Sequence, residues 1–217
     1  MDSPLLAPRA TERPEPRPRV WVVDDDPGVR TALSRLLHAT ALEVETFASA
    51  RDCLDRLPRE RPRCLVLDLT LPDLSGLDLI QILHRRGEPI PVVFISGTAD
   101  VGSSVQAMKQ GAVDFLEKPV DADALLAAIM RALAREAEWR STRARIDEAT
   151  RLLERLTPRE RQVLQCLAEG RSNKQIAGDL GTSEKTIKVH RGRVMNKLGI
   201  RSVVDLVHLT ARAVGLS

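Results

Sequence analysis

Nowhere in the 217-residue sequence does an apolar run approach the roughly 18 residues that a membrane span requires. The N-terminus also lacks the apolar stretch of a secretory signal. A protein that stays in the cytoplasm, with no membrane partner, is expected. Cysteine is scarce: Cys53, Cys64 and Cys166 are the three present. Their number is odd and their spacing matches no metal site, which argues against a disulfide framework and a cysteine-held metal alike. All three read as small buried apolar residues. Tyrosine is missing altogether. What is present suits folded domains: 43% of residues are hydrophobic, and the length suits two domains of ordinary size.

Charge divides the chain. Residues 20–138 carry 13 Lys/Arg against 19 Asp/Glu, an excess of six acids, whereas residues 157–217 carry 11 against 5, an excess of six bases. An acidic half suits cations and a small basic half suits a polyanion such as DNA. Residues 1–19 contain five prolines interspersed with arginine and glutamate, a composition that builds no core and predicts a disordered tail.

From Val20 onward, short apolar runs alternate with helical patterns. The runs are Val20–Val23, Val44–Phe47, Cys64–Leu67, Val92–Ile95 and Val113–Leu116. Helix-length spacing occupies Pro27–His38, Ser49–Leu57, Ser75–Arg86, Val101–Gln110 and Asp121 to about Trp139. Five such units predict a parallel sheet covered by helices on both faces.

The strand ends carry the chemistry. After the first stand Asp24, Asp25 and Asp26; after the third, Asp68; after the fourth, Ser96, Gly97 and Thr98; after the fifth, Glu117, Lys118 and Pro119. All these loops open on the carboxyl edge of the sheet, where open α/β sheets bind ligands. Taken singly, each is an ordinary turn. Together, crowded carboxylates would repel one another, so the arrangement calls for a divalent cation with oxygen ligands, most simply Mg²⁺ (or Mn²⁺). A lysine and a hydroxyl facing that cation complete a phosphoryl clamp.

In VVDDD, LDLTLPDLSG, FISG and FLEKPV, in that order and spacing, residues 20–138 resemble the receiver domain of a two-component response regulator. The resemblance implies a five-stranded, flavodoxin/CheY-like α/β domain. It makes Asp68 the phospho-acceptor, Asp24 and Asp25 with the Thr70 backbone carbonyl the other metal ligands, Lys118 the active-site lysine, and Ser96 and Phe115 the switch pair. It also implies a cis peptide at Lys118-Pro119, a sensor histidine kinase as phosphoryl donor, and pairing of two receivers on phosphorylation. Leu71 stands where methionine is common, and Phe115 where tyrosine is common.

Residues 139–156 keep Ile146, Ala149, Leu153 and Leu156 amid charges and read as a helical linker, either a lever or short coiled coil or a solvated helix with one apolar stripe. From Thr157, short helices have explicit starts and stops. Thr157-Pro158-Arg159-Glu160 and Ser172-Asn173-Lys174-Gln175 are capping boxes, Ser202 to Asp205 resembles a third, and Gly170, Gly181, Gly199 and Gly215 are the stops. Asn173–Leu180 and Glu184–Leu198, joined by Gly181-Thr182-Ser183, form a helix-turn-helix. Helical projection puts Ile187, Val194 and Leu198 inward and Lys185, Lys188, Val189, Gly192 and Asn196 outward.

LTPRERQVL, GRSNKQIAGDL and SEKTIKVHRGRVMNKLG resemble the LuxR-type four-helix DNA-binding domain over residues 157–217. The resemblance places the second helix in the major groove of promoter DNA. Lys188 and Val189 match base-contacting positions, Gly192 stands where a longer side chain often reaches the bases, and Lys185, Thr186, His190, Arg191, Arg193 and Lys197 fall on the backbone-contacting rim. The chain is thereby identified as a member of the NarL/FixJ regulators, with a receiver most like the FixJ branch. A phosphorylation-controlled transcription regulator without enzymatic turnover is expected, with RNA polymerase as a further partner. One alternative is a haloacid-dehalogenase-like Mg²⁺ phosphohydrolase, whose DxD signature Asp24 and Asp26 would fit. Another is a DNA-binding protein whose receiver serves only to dimerise.

Overall fold

The computed structural model describes residues 17–40, 42–97, 101–200, 202, 205–207 and 209–210. Most of the tail expected over residues 1–19, together with Thr98 and Gly215, lies outside the described residues. The chain divides into two compact units, one up to Ala137 and one from Glu138 on.

The first unit is built on five strands: Arg19–Val23 (β1), Glu43–Phe47 (β2), Cys64–Asp68 (β3), Val92–Ser96 (β4) and Asp114–Glu117 (β5). Their order is β2-β1-β3-β4-β5, and every pair is parallel. Helices Pro27–His38 (α1), Ala50–Arg56 (α2), Gly76–Arg85 (α3) and Val101–Lys109 (α4) follow the first four strands, and Ala122–Glu154 (α5) follows the fifth. The strands stand within a residue of the apolar runs at each end; β5 is displaced by one from the expected Val113–Leu116.

Alternation along the strands explains burial on both faces. Trp21, Leu65, Leu67 and Phe94 point into one core with α2 and α3. Val20, Val22, Val66, Val93 and Ile95 point into the other, against α1 and the first half of α5. Cys53 and Cys64 are buried in these cores and Cys166 in the second unit; burial pushes the Cys53 thiol up to about 12, which leaves it inert.

α5 is one helix of 33 residues: the helix expected to end near Trp139 and the helical linker expected after it are continuous. No glycine or proline interrupts it, so nothing in the local chemistry stops it. Its apolar residues serve two cores. Leu125, Ala128, Ile129 and Ala132 belong to the receiver core, whereas Leu152 and Leu153 pack with Leu156 in the second unit. Among the described residues no helix is long and apolar enough to cross a membrane.

The second unit continues with Pro158–Ala168 (α6), Asn173–Asp179 (α7) and Glu184–Leu198 (α8). Both capping boxes are closed in both directions. Ser202 and Asp205 repeat the pattern, the backbone N–H of each donating to the other's side chain at 3.0 and 3.1 Å. Gly170, Gly181 and Gly199 take positive φ values of 76°, 61° and 66°, which closes the helices as left-handed caps. Val163, Ile176, Ile187, Val194 and Leu206 are fully buried and form the centre of this unit.

Candidate functional site

Three strands deliver side chains to one point. In-register pairing of Val23 with Leu67 and of Asp68 with Ile95 puts Asp24, Asp68 and Ser96 side by side at the carboxyl edge. β1 lies between β2 and β3 there, the place where the strand order reverses and a crevice opens. Asp24, Asp25 and Asp68 each offer a carboxylate oxygen within 4.8 Å of the others. Asp24 and Ser96 are fully buried and Asp68 nearly so, while Asp25 is exposed. Lys118, at the end of β5, bridges two of the acids: its Nζ lies 2.7 Å from Asp24 Oδ2 and 2.6 Å from Asp68 Oδ2. The Lys118-Pro119 peptide that follows is cis, as the receiver resemblance implies.

The electrostatics match a cation site. Burial pushes the Asp24 carboxyl above its ordinary value, and the Lys118 ammonium only partly offsets that. The 2.7 Å contact from Lys118 makes Asp24 Oδ2 one half of a charge-assisted pair. A buried carboxylate held charged against desolvation, with oxygens from two further acids beside it, is the donor set a hard divalent cation takes. For Lys118, burial lowers the pKa, but the bonds to Asp24 and Asp68 outweigh it and hold the ammonium above its usual range. The lysine is therefore a fixed positive charge.

Each loop is held from outside the acidic group. Asp26, which the sequence set beside the metal pair, caps α1 instead: its Oδ1 accepts from the N–H of Gly28 at 2.6 Å and of Val29 at 3.1 Å, and these bonds hold its carboxyl below the usual range. The Asp26 N–H donates to Asp24 Oδ1 at 2.9 Å, and Arg30 Nη1 donates to the Asp24 carbonyl at 2.7 Å. Thr70 is exposed, and its N–H donates to Asp68 Oδ1 at 3.1 Å. Phe115 is half-buried beside Phe94, ring centroids 6.5 Å apart.

Gly76, the first residue of α3, is a participant that the sequence reading did not single out. A Cβ there would stand 2.5 Å from the Asp68 carbonyl oxygen and 2.8 Å from Phe94 Cε1. The start of α3 can lie against the phospho-acceptor strand only because that position has no side chain.

In the second unit, Ile187, Val194 and Leu198 of α8 are buried and Lys185, Lys188, Val189, Gly192 and Asn196 are exposed, as helical projection expects; Thr186 and Arg193 are exposed as well. Thr186 shares a hydrogen bond with Ser183 at 2.9 Å at the helix start. His190 and Arg191 are half-buried. Lys197 is engaged within the domain rather than presented with the rim residues: its Nζ lies 2.6 Å from Glu160 Oε2 and donates to the Arg155 carbonyl at 3.3 Å. Glu160 is buried, yet the Lys197 bond and its capping bond from the Thr157 N–H draw its carboxyl down to about 2. Glu160 and Lys197 are 37 residues apart, a separation that no local pattern reveals.

Comparison with known proteins agrees over most of the chain. Residues 20–130 match the family described as response regulator receiver domain, and residues 154–210 match the bacterial regulatory proteins of the luxR family. The chain is 43% identical to the response regulator protein TodT of Pseudomonas putida over 193 residues, 89% of this chain and 85% of that protein. It is 42% identical to the transcriptional regulatory protein FixJ of Azorhizobium caulinodans over 201 residues, 92% of this chain and 94% of that one. Among solved structures, the response regulator StyR matches with a TM-score of 0.81 and 46% identity, covering 90% of this chain and 99% of its own. With both domains matched in order, the chain belongs to the FixJ-like two-component response regulators, transcription regulators in which a receiver domain precedes a LuxR-type DNA-binding domain.

Proposed function

We propose that Asp68 is the residue that accepts the phosphoryl group and that this event governs DNA binding through α8. The observation that carries the reading is the Lys118 ammonium between Asp24 and Asp68, with Ser96 beside them at the same sheet edge. The donor is a sensor histidine kinase. An oxygen of Asp68 attacks phosphorus, the P–N bond to the kinase histidine breaks, and the imidazole nitrogen keeps the electron pair. Mg²⁺ or Mn²⁺, held by Asp24, Asp25, Asp68 and the Thr70 carbonyl, supplies positive charge to the phosphoryl oxygens when bound.

The remaining steps belong to the side chains. Lys118 is already charged, so it stabilises the transferring group without a proton change. The product is an acyl phosphate, whose new oxygens accept from the Ser96 hydroxyl. Ser96 drawn toward them vacates space into which the half-buried Phe115 rotates. That movement alters the face formed by α4, β5 and α5, where Val101, Val105 and Met108 of α4 are exposed. A second receiver covering this patch gives a homodimer that binds promoter DNA in the cytoplasm and meets RNA polymerase there.

On this reading the protein takes up one phosphoryl group and does not turn over substrate. A phosphohydrolase using Asp24 and Asp26 is poorly supported, since Asp26 caps α1 and lies outside the acidic group. Asp68→Asn keeps the side-chain shape and removes the nucleophile. In the presence of Mg²⁺ and a kinase or small phosphodonor, mass spectrometry should find one hydroxylamine-labile phosphate on the wild type and none on the variant. Uptake by Asp68→Asn at the wild-type rate would move the acceptor to another carboxylate.

A further inference from the structure

The loop that carries Asp68 and Thr70 has an anchor outside the ligand set. After β3 the chain runs Leu69 to Ser75 before α3 begins, and Pro72 in its middle has no N–H to donate. Near its start the loop is tied by Leu69, whose N–H donates to the Ile95 carbonyl at 3.0 Å, and by the Gly76 N–H donating to the Leu69 carbonyl at 2.9 Å. Its far side is tied by Asp73. The Asp73 carboxylate accepts from the backbone N–H of Ala50 at 3.3 Å and of Arg51 at 3.0 Å, 23 and 22 residues away in sequence.

Those two donors open α2, a helix fixed in the core by the fully buried Ala50 and Cys53. α2 has its own cap, since Ser49 Oγ accepts from the Asp52 N–H at 3.1 Å. The carboxylate thus bonds the two amides that the Ser49 cap does not reach, in the charge-assisted form that is the stronger kind. Burial pushes the Asp73 carboxyl up, but the backbone donors, Arg51 and Ala50 foremost, prevail and hold it below the usual range.

We infer that Asp73 is a positioning residue for the cation site: by tying the β3–α3 loop to α2, it fixes the Thr70 backbone and through it the Asp68 side chain. Thr70 lies three residues before Asp73, and its N–H holds Asp68 Oδ1. Loosening the loop therefore disturbs two of the ligand positions at once while leaving Asp24 and Asp25, on the other loop, where they are. The inference rests on the proposed reading of the acidic group as a divalent-cation site.

Isothermal titration calorimetry of the full chain with Mg²⁺ separates this role from plain helix capping. Asp73→Ala should weaken Mg²⁺ binding about tenfold, the low end for a residue that supports a ligand rather than serving as one. Asp73→Asn, which keeps one carbonyl acceptor, should weaken it less. Ser49→Ala removes the cap of α2 without cutting the tie, so it should lower thermal stability and leave Mg²⁺ affinity unchanged. A folded Asp73→Ala or Asp73→Asn protein that binds Mg²⁺ as the wild type does would overturn the inference, as would Ser49→Ala weakening it equally. Wild-type protein that binds no Mg²⁺ would overturn the underlying reading of the site instead.

Discussion

Each unit buries a carboxylate against a lysine, and the two pairs behave oppositely. Asp24 in the receiver is pushed up by burial despite Lys118 at 2.7 Å. Glu160 in the DNA-binding unit is drawn down to about 2 by Lys197 at 2.6 Å and by the N–H of Thr157. The difference lies in desolvation, which is the largest influence on Asp24 and is outweighed at Glu160. On Glu160 the Lys197 ammonium and the Thr157 N–H both bond Oε2 and prevail over burial. Asp24 shares its lysine with Asp68, and the Lys118 contact and the Asp26 N–H do not offset its burial. A buried charge whose neighbours outweigh its desolvation holds a fold together; one whose desolvation they do not offset is poised to receive a ligand.

The sharpest way to break this contrast is to remove the cation from the satisfied pair. Lys197→Met leaves Glu160 buried and unpaired, and should cost the second unit about 3 kcal/mol, the low end for such a loss, because Lys197 is partly exposed. Hydrogen exchange of the α6 and α8 amides would read it. Acid gives the same contrast a pH window. A depressed carboxyl contributes stability that is fully present above its ordinary value of 4.5 and is lost as pH falls toward about 2. The wild-type unit should weaken over that interval, and the Lys197→Met unit should change little there. Asp24, being raised, has the opposite sign: its penalty is present at neutral pH and is relieved as pH falls toward its ordinary value of 3.8. Equal slopes for wild type and Lys197→Met would refute the assignment to Glu160.

Gly76→Ala tests the receiver side. Its Cβ meets backbone at 2.5 Å, so something must shift; urea unfolding should show a loss of about 1–3 kcal/mol, the usual cost of overpacking. Phosphoryl uptake at Asp68 should slow with it. Unchanged stability together with wild-type uptake would show that the loop gives way without consequence.

Why some of this could be read from sequence and some could not is clearest in particular residues. Asp24, Asp68, Ser96 and Lys118 were legible because each follows an apolar run and strand ends share an edge in a parallel sheet. Thr157 with Glu160 and Ser172 with Gln175 were legible because a capping box is local, three residues from end to end. Asp73 and Lys197 act across 23 and 37 residues, distances at which only the fold says what meets what. The length of α5 was missed for another reason: its apolar residues face two cores in turn, so no single stripe runs through it.

Smaller effects divide the exposed face of α8. Lys188→Ala should weaken specific DNA binding by about 1–3 kcal/mol and relax the preference at one operator position, as loss of a base-edge contact does. Arg193→Ala should lower affinity for all sequences alike and reduce the slope of log affinity against log salt by about 0.9, one phosphate contact. Salt titrations on specific and scrambled duplexes distinguish them. Equal cost on both duplexes for Lys188→Ala would make it a backbone contact.

Regulation of DNA binding turns on whether a charge event at Asp68 reaches α8. The direct measurement is the affinity of the full chain for a duplex selected from random DNA, before and after treatment with a phosphodonor and Mg²⁺, for wild type and for Asp68→Asn. Affinity should rise on treatment of the wild type and stay at the untreated value in the variant. A wild-type affinity unmoved by stoichiometric phosphorylation, or a variant that responds as the wild type does, would contradict it.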